Sequence, residues 1–143
     1  MEREINHEWI YEQSPSEVWE YLTQPELIAL WLMPNNFKLE TGHEFQFTTK
    51  PMPELGLDGV FHCKVLQIQP CQKLVYSWKG GSGYGIFTLD TICEWTLEPL
   101  GKGTRLKLKH SGFKKHNTEI FMGMTKGWLT LAEKMLVHLN RQK

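Results

Sequence analysis

Residues Asn117 to Asn140 constrain the fold more than any other stretch of the chain. Ile120, Phe121, Met124, Trp128, Leu131, Ala132, Met135 and Leu139 recur at the three-and-four spacing of one broad apolar helix face. Lys126, Thr130, Glu133 and Asn140 fall on the opposite side, so the segment is too polar to cross a membrane and too apolar to stand alone in water. The rest of the chain must cover that face. Gly123 and Gly127 sit one turn apart at its edge, and each costs about 1 kcal/mol against alanine in a helix interior. Two things would offset the cost: room for a ligand, or close contact with another backbone. The sequence leaves both open.

The cover is legible upstream as a run of strands. Ile5 to Glu12 puts Ile5, His7, Trp9 and Tyr11 on one parity, broken by Ile10, and reads as a first strand. Ser14, Pro15 and Glu17 form a capping box with proline at the first helical position, and Val18, Trp19 and Leu22 follow as an apolar face. Thr23 and Glu26 repeat the box around Pro25, which predicts a second short helix through Trp31 that Pro34 stops. Phe37 to Glu40 and Glu44 to Thr49 flank Thr41 and Gly42 as an expected hairpin. Lys50 to Leu57 is a loop by its prolines and glycine, although Met52, Leu55 and Leu57 are apolar for a loop. Val60 to Gln69 and Leu74 to Lys79 make the next pair of strands, followed by the glycine-rich loop Gly80 to Gly85. Phe87 to Leu97 alternates cleanly, with Phe87, Leu89, Thr91, Cys93, Trp95 and Leu97 on the buried side. In the following strand Leu106, Leu108 and His110 point inward, and Arg105, Lys107 and Lys109 outward. Strand, two helices, a run of strands and a long helix is an α+β order: an antiparallel sheet of about six to seven strands with its helices on one face.

Charge and length narrow the function classes. The 143 residues suit one domain over 1–143, burying roughly 68–70% of the unfolded surface. Sixteen basic and sixteen acidic residues cancel, without the positive field that a nucleic-acid partner requires. Cys63, Cys71 and Cys93 are odd in number, lack CxxC spacing and read as buried free thiols. No run approaches a membrane span and no charged-then-apolar leader follows Met1, so a cytoplasmic location is expected, with no membrane partner. Six tryptophans would line either a large core or an apolar pocket.

Covalent and metal chemistry find no motif. The six histidines are scattered without HExxH or paired cysteines, so neither a metal nor another cofactor is expected. The glycines of Gly80 to Gly85 precede a strand, whereas a phosphate cradle needs glycines that open a helix. A G-x-S-x-G elbow is absent. What remains is acid–base work in an apolar pocket, where the inward groups by parity are His7, Tyr11, Tyr76 and His110.

Five stretches in this order resemble the START-related (SRPBCC) superfamily: Ser14-Pro15-Ser16-Glu17-Val18-Trp19, Trp31 to Pro34, the turn at Gly42, His110-Ser111-Gly112-Phe113 and Gly127-Trp128. Within it the chain is similar to proteins named after the homologue of the heat-shock protein 90 ATPase activator. The resemblance implies a helix-grip fold, in which a curved antiparallel sheet wraps the C-terminal helix and leaves an apolar cavity. It also implies a small apolar or aromatic ligand of lipid, sterol, polyketide or flavonoid-like class, held by Trp78, Phe87, Trp95, His110, Met124, Gly127 and Trp128, in a monomer. Two other readings follow from the same kinship: an enzyme of cyclase or hydrolase type using His110 or His7 as general base, and a chaperone cofactor that binds protein. The eukaryotic activator engages its chaperone through an additional N-terminal domain, and this chain begins directly at its first strand.

Overall fold

The computed structural model describes residues 3–141. Strand β1 (Arg3–Tyr11) leads into helices α1 (Pro15–Thr23) and α2 (Pro25–Trp31). Strands β2 (Glu44–Thr48), β3 (Val60–Gln69), β4 (Lys73–Gly80), β5 (Leu89–Leu100) and β6 (Gly103–Phe113) follow, and helix α3 (Thr118–Arg141) closes the chain. The six strands form one curved antiparallel sheet in the order β1-β6-β5-β4-β3-β2. The fold is therefore α+β and helix-grip, as the sequence pattern and the resemblance both led us to expect.

Local chemistry accounts for the helix boundaries. Ser14 closes the expected capping box on α1, its hydroxyl accepting from the Glu17 amide while the Glu17 carboxylate accepts from the Ser14 amide, each at 3.3 Å. The second box does not form. Gln24 caps α2 without a side-chain bond, because the Thr23 hydroxyl instead donates back to the Trp19 carbonyl at 2.7 Å.

The expected hairpin around Gly42 is also absent, for residues 37–40 form no strand. One backbone bridge and one side chain hold that edge of β2 instead. Asn35 bridges Phe47, the Thr48 amide donates to the Pro34 carbonyl at 3.1 Å, and the Gln46 amide donates to Asn36 Oδ1 at 2.7 Å, while the Phe37 amide turns back onto Asn35 Oδ1 at 3.0 Å. β5 opens at Leu89 rather than Phe87, since Gly80 pairs with Leu89 and the intervening loop turns on Gly83 and Gly85 at positive φ.

Inside the sheet the parity holds. Leu89, Thr91, Cys93, Trp95 and Leu97 are buried on β5, as are Leu106, Leu108 and His110 on β6. Cys63 and Cys93 are buried free thiols, and Cys71 is free and half-buried. Helix α3 is tied to the β1 side of the sheet by polar bonds to its own backbone and tail. His7 Nε2 donates to the Thr125 carbonyl at 2.8 Å, the Tyr11 hydroxyl to the Ala132 carbonyl at 2.9 Å, and Gln13 Nε2 to Asn140 Oδ1 at 2.8 Å. Ile120, Trp128, Ala132, Met135 and Leu139 go into the core, whereas Phe121, Met124 and Leu131 stay half-buried. That division marks where the helix stops meeting the sheet and space begins.

Candidate ligand cavity

A cavity of about 390 Å³ lies between α3 and the β3–β4 part of the sheet. α3 contributes Ile120, Gly123, Met124, Gly127, Trp128 and Leu131. The sheet supplies Phe61 and Trp78, and the chain after α2 supplies Leu32 and Met33. The remaining wall is the segment after β2: Thr49, Met52, Leu55 and Leu57. This explains the apolar loop noticed in the sequence, because its three large side chains face the cavity rather than water. A short 3-10 turn at Pro53–Leu55 shapes it, and Gly59 allows it to pass. Gly59 has φ of 90°, and a Cβ there would collide with the Thr49 carbonyl oxygen.

The two helix glycines leave open space. A Cβ built on Gly123 or Gly127 meets no atom within 4 Å, so neither admits a neighbouring backbone. Of the two offsets the sequence left open, close backbone contact is thereby excluded. Thr49 carries the one hydroxyl in the lining, and no lining side chain is charged.

Behind the cavity wall stands a directed chain of hydrogen bonds. An indole N–H only donates, so the 3.1 Å contact from Trp128 Nε1 places a lone pair on His110 Nδ1. The ring proton then sits on Nε2 and donates to the Thr91 hydroxyl at 2.7 Å, which in turn donates to the Trp78 carbonyl at 3.1 Å. Burial pulls the His110 pKa down from 6.5 to about 3, so the imidazole is neutral. Its one basic lone pair is taken by Trp128, and the residue is fully buried. The other inward groups are similarly engaged. The Tyr11 hydroxyl is bonded to α3, and Tyr76 accepts from Trp95 Nε1 at 3.0 Å, with burial raising both phenol pKa values. Among the described residues no group of three or more His, Cys, Asp or Glu side chains is placed to hold a metal ion.

Of the seven residues singled out in the sequence, Trp78, Met124, Gly127 and Trp128 line the cavity. Trp95 and His110 do not. They stand one layer back, Trp95 packing edge-on against Trp128 at 5.5 Å and against Trp31 at 5.9 Å. Parity gave the correct face for both, but the bulk of Trp128 fills the space between them and the cavity. Phe87 is misplaced altogether. It precedes β5, is 44% exposed, and packs beside His62 and Lys79 away from the cavity. Leu32, Met33, Thr49, Phe61, Ile120 and Leu131 also line the cavity without a pattern that singles them out, as do Met52, Leu55 and Leu57 of the apolar loop and Gly123, whose missing side chain leaves the room the sequence allowed for. The spacing of Gly123 to Gly127 and the apolar loop were the available signals.

An antiparallel sheet gripping a C-terminal helix, with an apolar cavity between them, defines the class of protein as helix-grip. The family model described as Activator of Hsp90 ATPase homolog 1-like protein matches residues 12–140, and the chain belongs to that family. A solved structure from Mesorhizobium loti is 33% identical over 99% of both chains, with a TM-score of 0.88. DynU16, a protein of the dynemicin biosynthetic locus, shares the fold at 21% identity and a TM-score of 0.78, over 98% of this chain and 48% of its own. CalU16 from Micromonospora echinospora does so at 21% identity and a TM-score of 0.68, over 99% of this chain and 83% of its own. No curated protein matches the chain. Among the described residues no helix is long and apolar enough to cross a membrane.

Proposed function

We propose that this protein binds a small apolar or aromatic molecule, of lipid, sterol, polyketide or flavonoid-like class, in the cavity between α3 and the sheet, without covalent chemistry. The observation that carries this reading is the pair of glycines. Gly123 and Gly127 forgo about 1 kcal/mol of helix propensity each, no packing contact offsets it, and both border the same apolar space. A volume of about 390 Å³ falls in the usual range for small-molecule sites, which are walled by apolar side chains with few polar groups. The residues proposed to touch the ligand are Trp78, Met124, Gly127 and Trp128, joined by Phe61 and the loop residues Met52, Leu55 and Leu57. A fold relative from a biosynthetic locus lends support to a small-molecule role. His110 supports binding over acid–base catalysis, because its lone pair is committed to Trp128.

The test is a titration against a mixed lipid and flavonoid library, following tryptophan fluorescence for binding and chromatography for turnover. Saturable binding with the compound recovered unchanged is expected. Conversion with a pH-dependent rate would replace this reading with the enzymatic one.

A further inference from the structure

Phe87 lies outside the cavity because it walls a second hollow, of about 420 Å³, on the outer face of the sheet. Strand parity lays the floor of that hollow. On β3 and β4 the side chains of Phe61, Cys63, Tyr76 and Trp78 are buried on the inner face, so His62, Lys64, Ser77 and Lys79 point the other way. These four line the hollow, joined by Glu44 and Gln46 of β2. The glycine-rich loop brings Phe87 beside them. Its ring lies 5.4 Å from that of His62 at 67° and 5.9 Å from Lys79 Nζ, yet the residue remains 44% exposed. An open aromatic ring next to an ammonium group is a platform for a second flat ring.

The cations of the hollow differ from those on the rest of the outer face. Lys73 pairs with Glu94, Arg105 with Glu8 and Glu98, Lys107 with Glu98, and Lys109 with Glu4. Among the described residues neither Lys64 nor Lys79 has a carboxylate within 4.0 Å, although Glu44 lies opposite Lys64 in the ladder and Asp90 opposite Lys79. Register sets their spacing. Lys64 faces Ser77 and His62 faces Lys79, so the two lysines are diagonal neighbours, about 7–8 Å apart at the backbone, and their long side chains can close on one anion. Two ammonium groups against the one lining carboxylate, Glu44, leave a surplus of one positive charge. A monoanion neutralises that surplus, whereas a phosphate dianion would bring its second charge up against Glu44.

We propose that this outer hollow is a second binding site, for a flat aromatic monocarboxylate that lays its ring against Phe87 and its carboxylate between Lys64 and Lys79. The site is separate from the cavity beneath α3 and does not depend on what that cavity binds. Both parts of the ligand are required. A neutral ester of the same shape leaves the two ammonium groups unpaired, and an inorganic anion leaves the Phe87 ring in water.

The probes are 2-naphthoate, its neutral methyl ester and inorganic phosphate, with α-tetralone, a neutral flat ketone, as the probe of the cavity. Amide NMR on the wild-type protein locates each of them, and the titrations are repeated in Lys64→Gln/Lys79→Gln and in Phe87→Ser. 2-Naphthoate should shift the amides of Lys64, Ser77, Lys79 and Phe87 along one saturation curve. Its affinity should fall roughly tenfold in each variant, the order of two exposed ion pairs or one ring contact, and should weaken with added sodium chloride. The wild-type map and the salt dependence decide the matter even where a variant fails to fold. α-Tetralone should respond to neither variant nor to salt, so failure of the outer site and failure of the cavity are read separately. If the ester or phosphate binds the same amides as tightly as 2-naphthoate, the hollow is an apolar or a charged patch only and the proposal is wrong. It is equally wrong if 2-naphthoate shifts cavity residues alone, binds both variants as tightly as the wild type, or moves nothing up to its solubility.

Discussion

Replacing Gly127 by leucine separates a ligand cavity from ordinary packing. The added side chain starts from a Cβ that meets nothing within 4 Å and extends four carbons into a space of about 390 Å³. Removing a mid-helix glycine gains about 0.8–1 kcal/mol of helix propensity. For a chain of this length that corresponds to a rise of about 3 °C in the unfolding midpoint. The same leucine occupies room a ligand would use, so affinity for α-tetralone should fall at least tenfold. Gly127→Ala divides the two effects: alanine is the best helix former and brings the whole propensity gain while adding a single carbon, so it should stabilise and still bind. Scanning calorimetry gives the first quantity and NMR titration the second. A Gly127→Leu protein destabilised by roughly 1–3 kcal/mol, the cost of overpacking, that still binds once folded would refute the reasoning and return Gly127 to packing.

Three further outcomes follow from the geometry. Trp128→Phe leaves His110 Nδ1 buried without its donor, and should lower stability by about 1–3 kcal/mol in urea unfolding, whereas a negligible change would mean that the bond contributes nothing. His110 has a folded-state pKa of about 3 against 6.5, so the unfolded chain takes up a proton that the folded protein refuses. Its stability contribution is therefore complete above 6.5 and is lost as pH falls towards 3, by at most about 1.4 kcal/mol per pH unit. Urea midpoints at pH 7.5 and 5 should show a smaller difference in His110→Gln, and equal differences would contradict the buried neutral state. Phe87→Ser, at an exposed site outside the cavity lining, should change stability by no more than about 0.5 kcal/mol and leave α-tetralone affinity unaltered.

The elements that sequence revealed best are those whose pattern depends on burial alone. β5 alternates because one face meets the core, and α3 shows its stripe because it is gripped, so both were legible without any partner in view. Boundaries set by particular side chains were not. The edge of β2 is held by a single bridge from Asn35 to Phe47 and by the Asn36 side chain on the Gln46 amide, an irregular pairing that alternation cannot reveal. Gln24 caps α2 because Thr23 turns back to Trp19, a competition decided only by the turn. In the site, parity distinguishes inward from outward but not depth. Trp78 and Trp95 share the inner face of neighbouring strands, yet Trp78 touches the cavity and Trp95 lies behind Trp128. Lining residues from Leu32 to Leu57 come from a segment between elements, where no period exists to read. Only their apolar character out of place pointed to a covered space.

The methionines test the central claim most directly, because they sample the cavity, the core and the outer surface of one helix. Met33, Met52 and Met124 line the cavity, Met135 is fully buried in the core, and Met122 is 57% exposed. In a sample labelled at the methionine methyl carbons, α-tetralone should shift the signals of Met33, Met52 and Met124 together, with one saturation curve, and leave those of Met122 and Met135 in place. Shifts confined to Met122 or Met135, with the three lining methyls unmoved at saturation, would show that the molecule binds elsewhere and that the space beneath α3 is not its site.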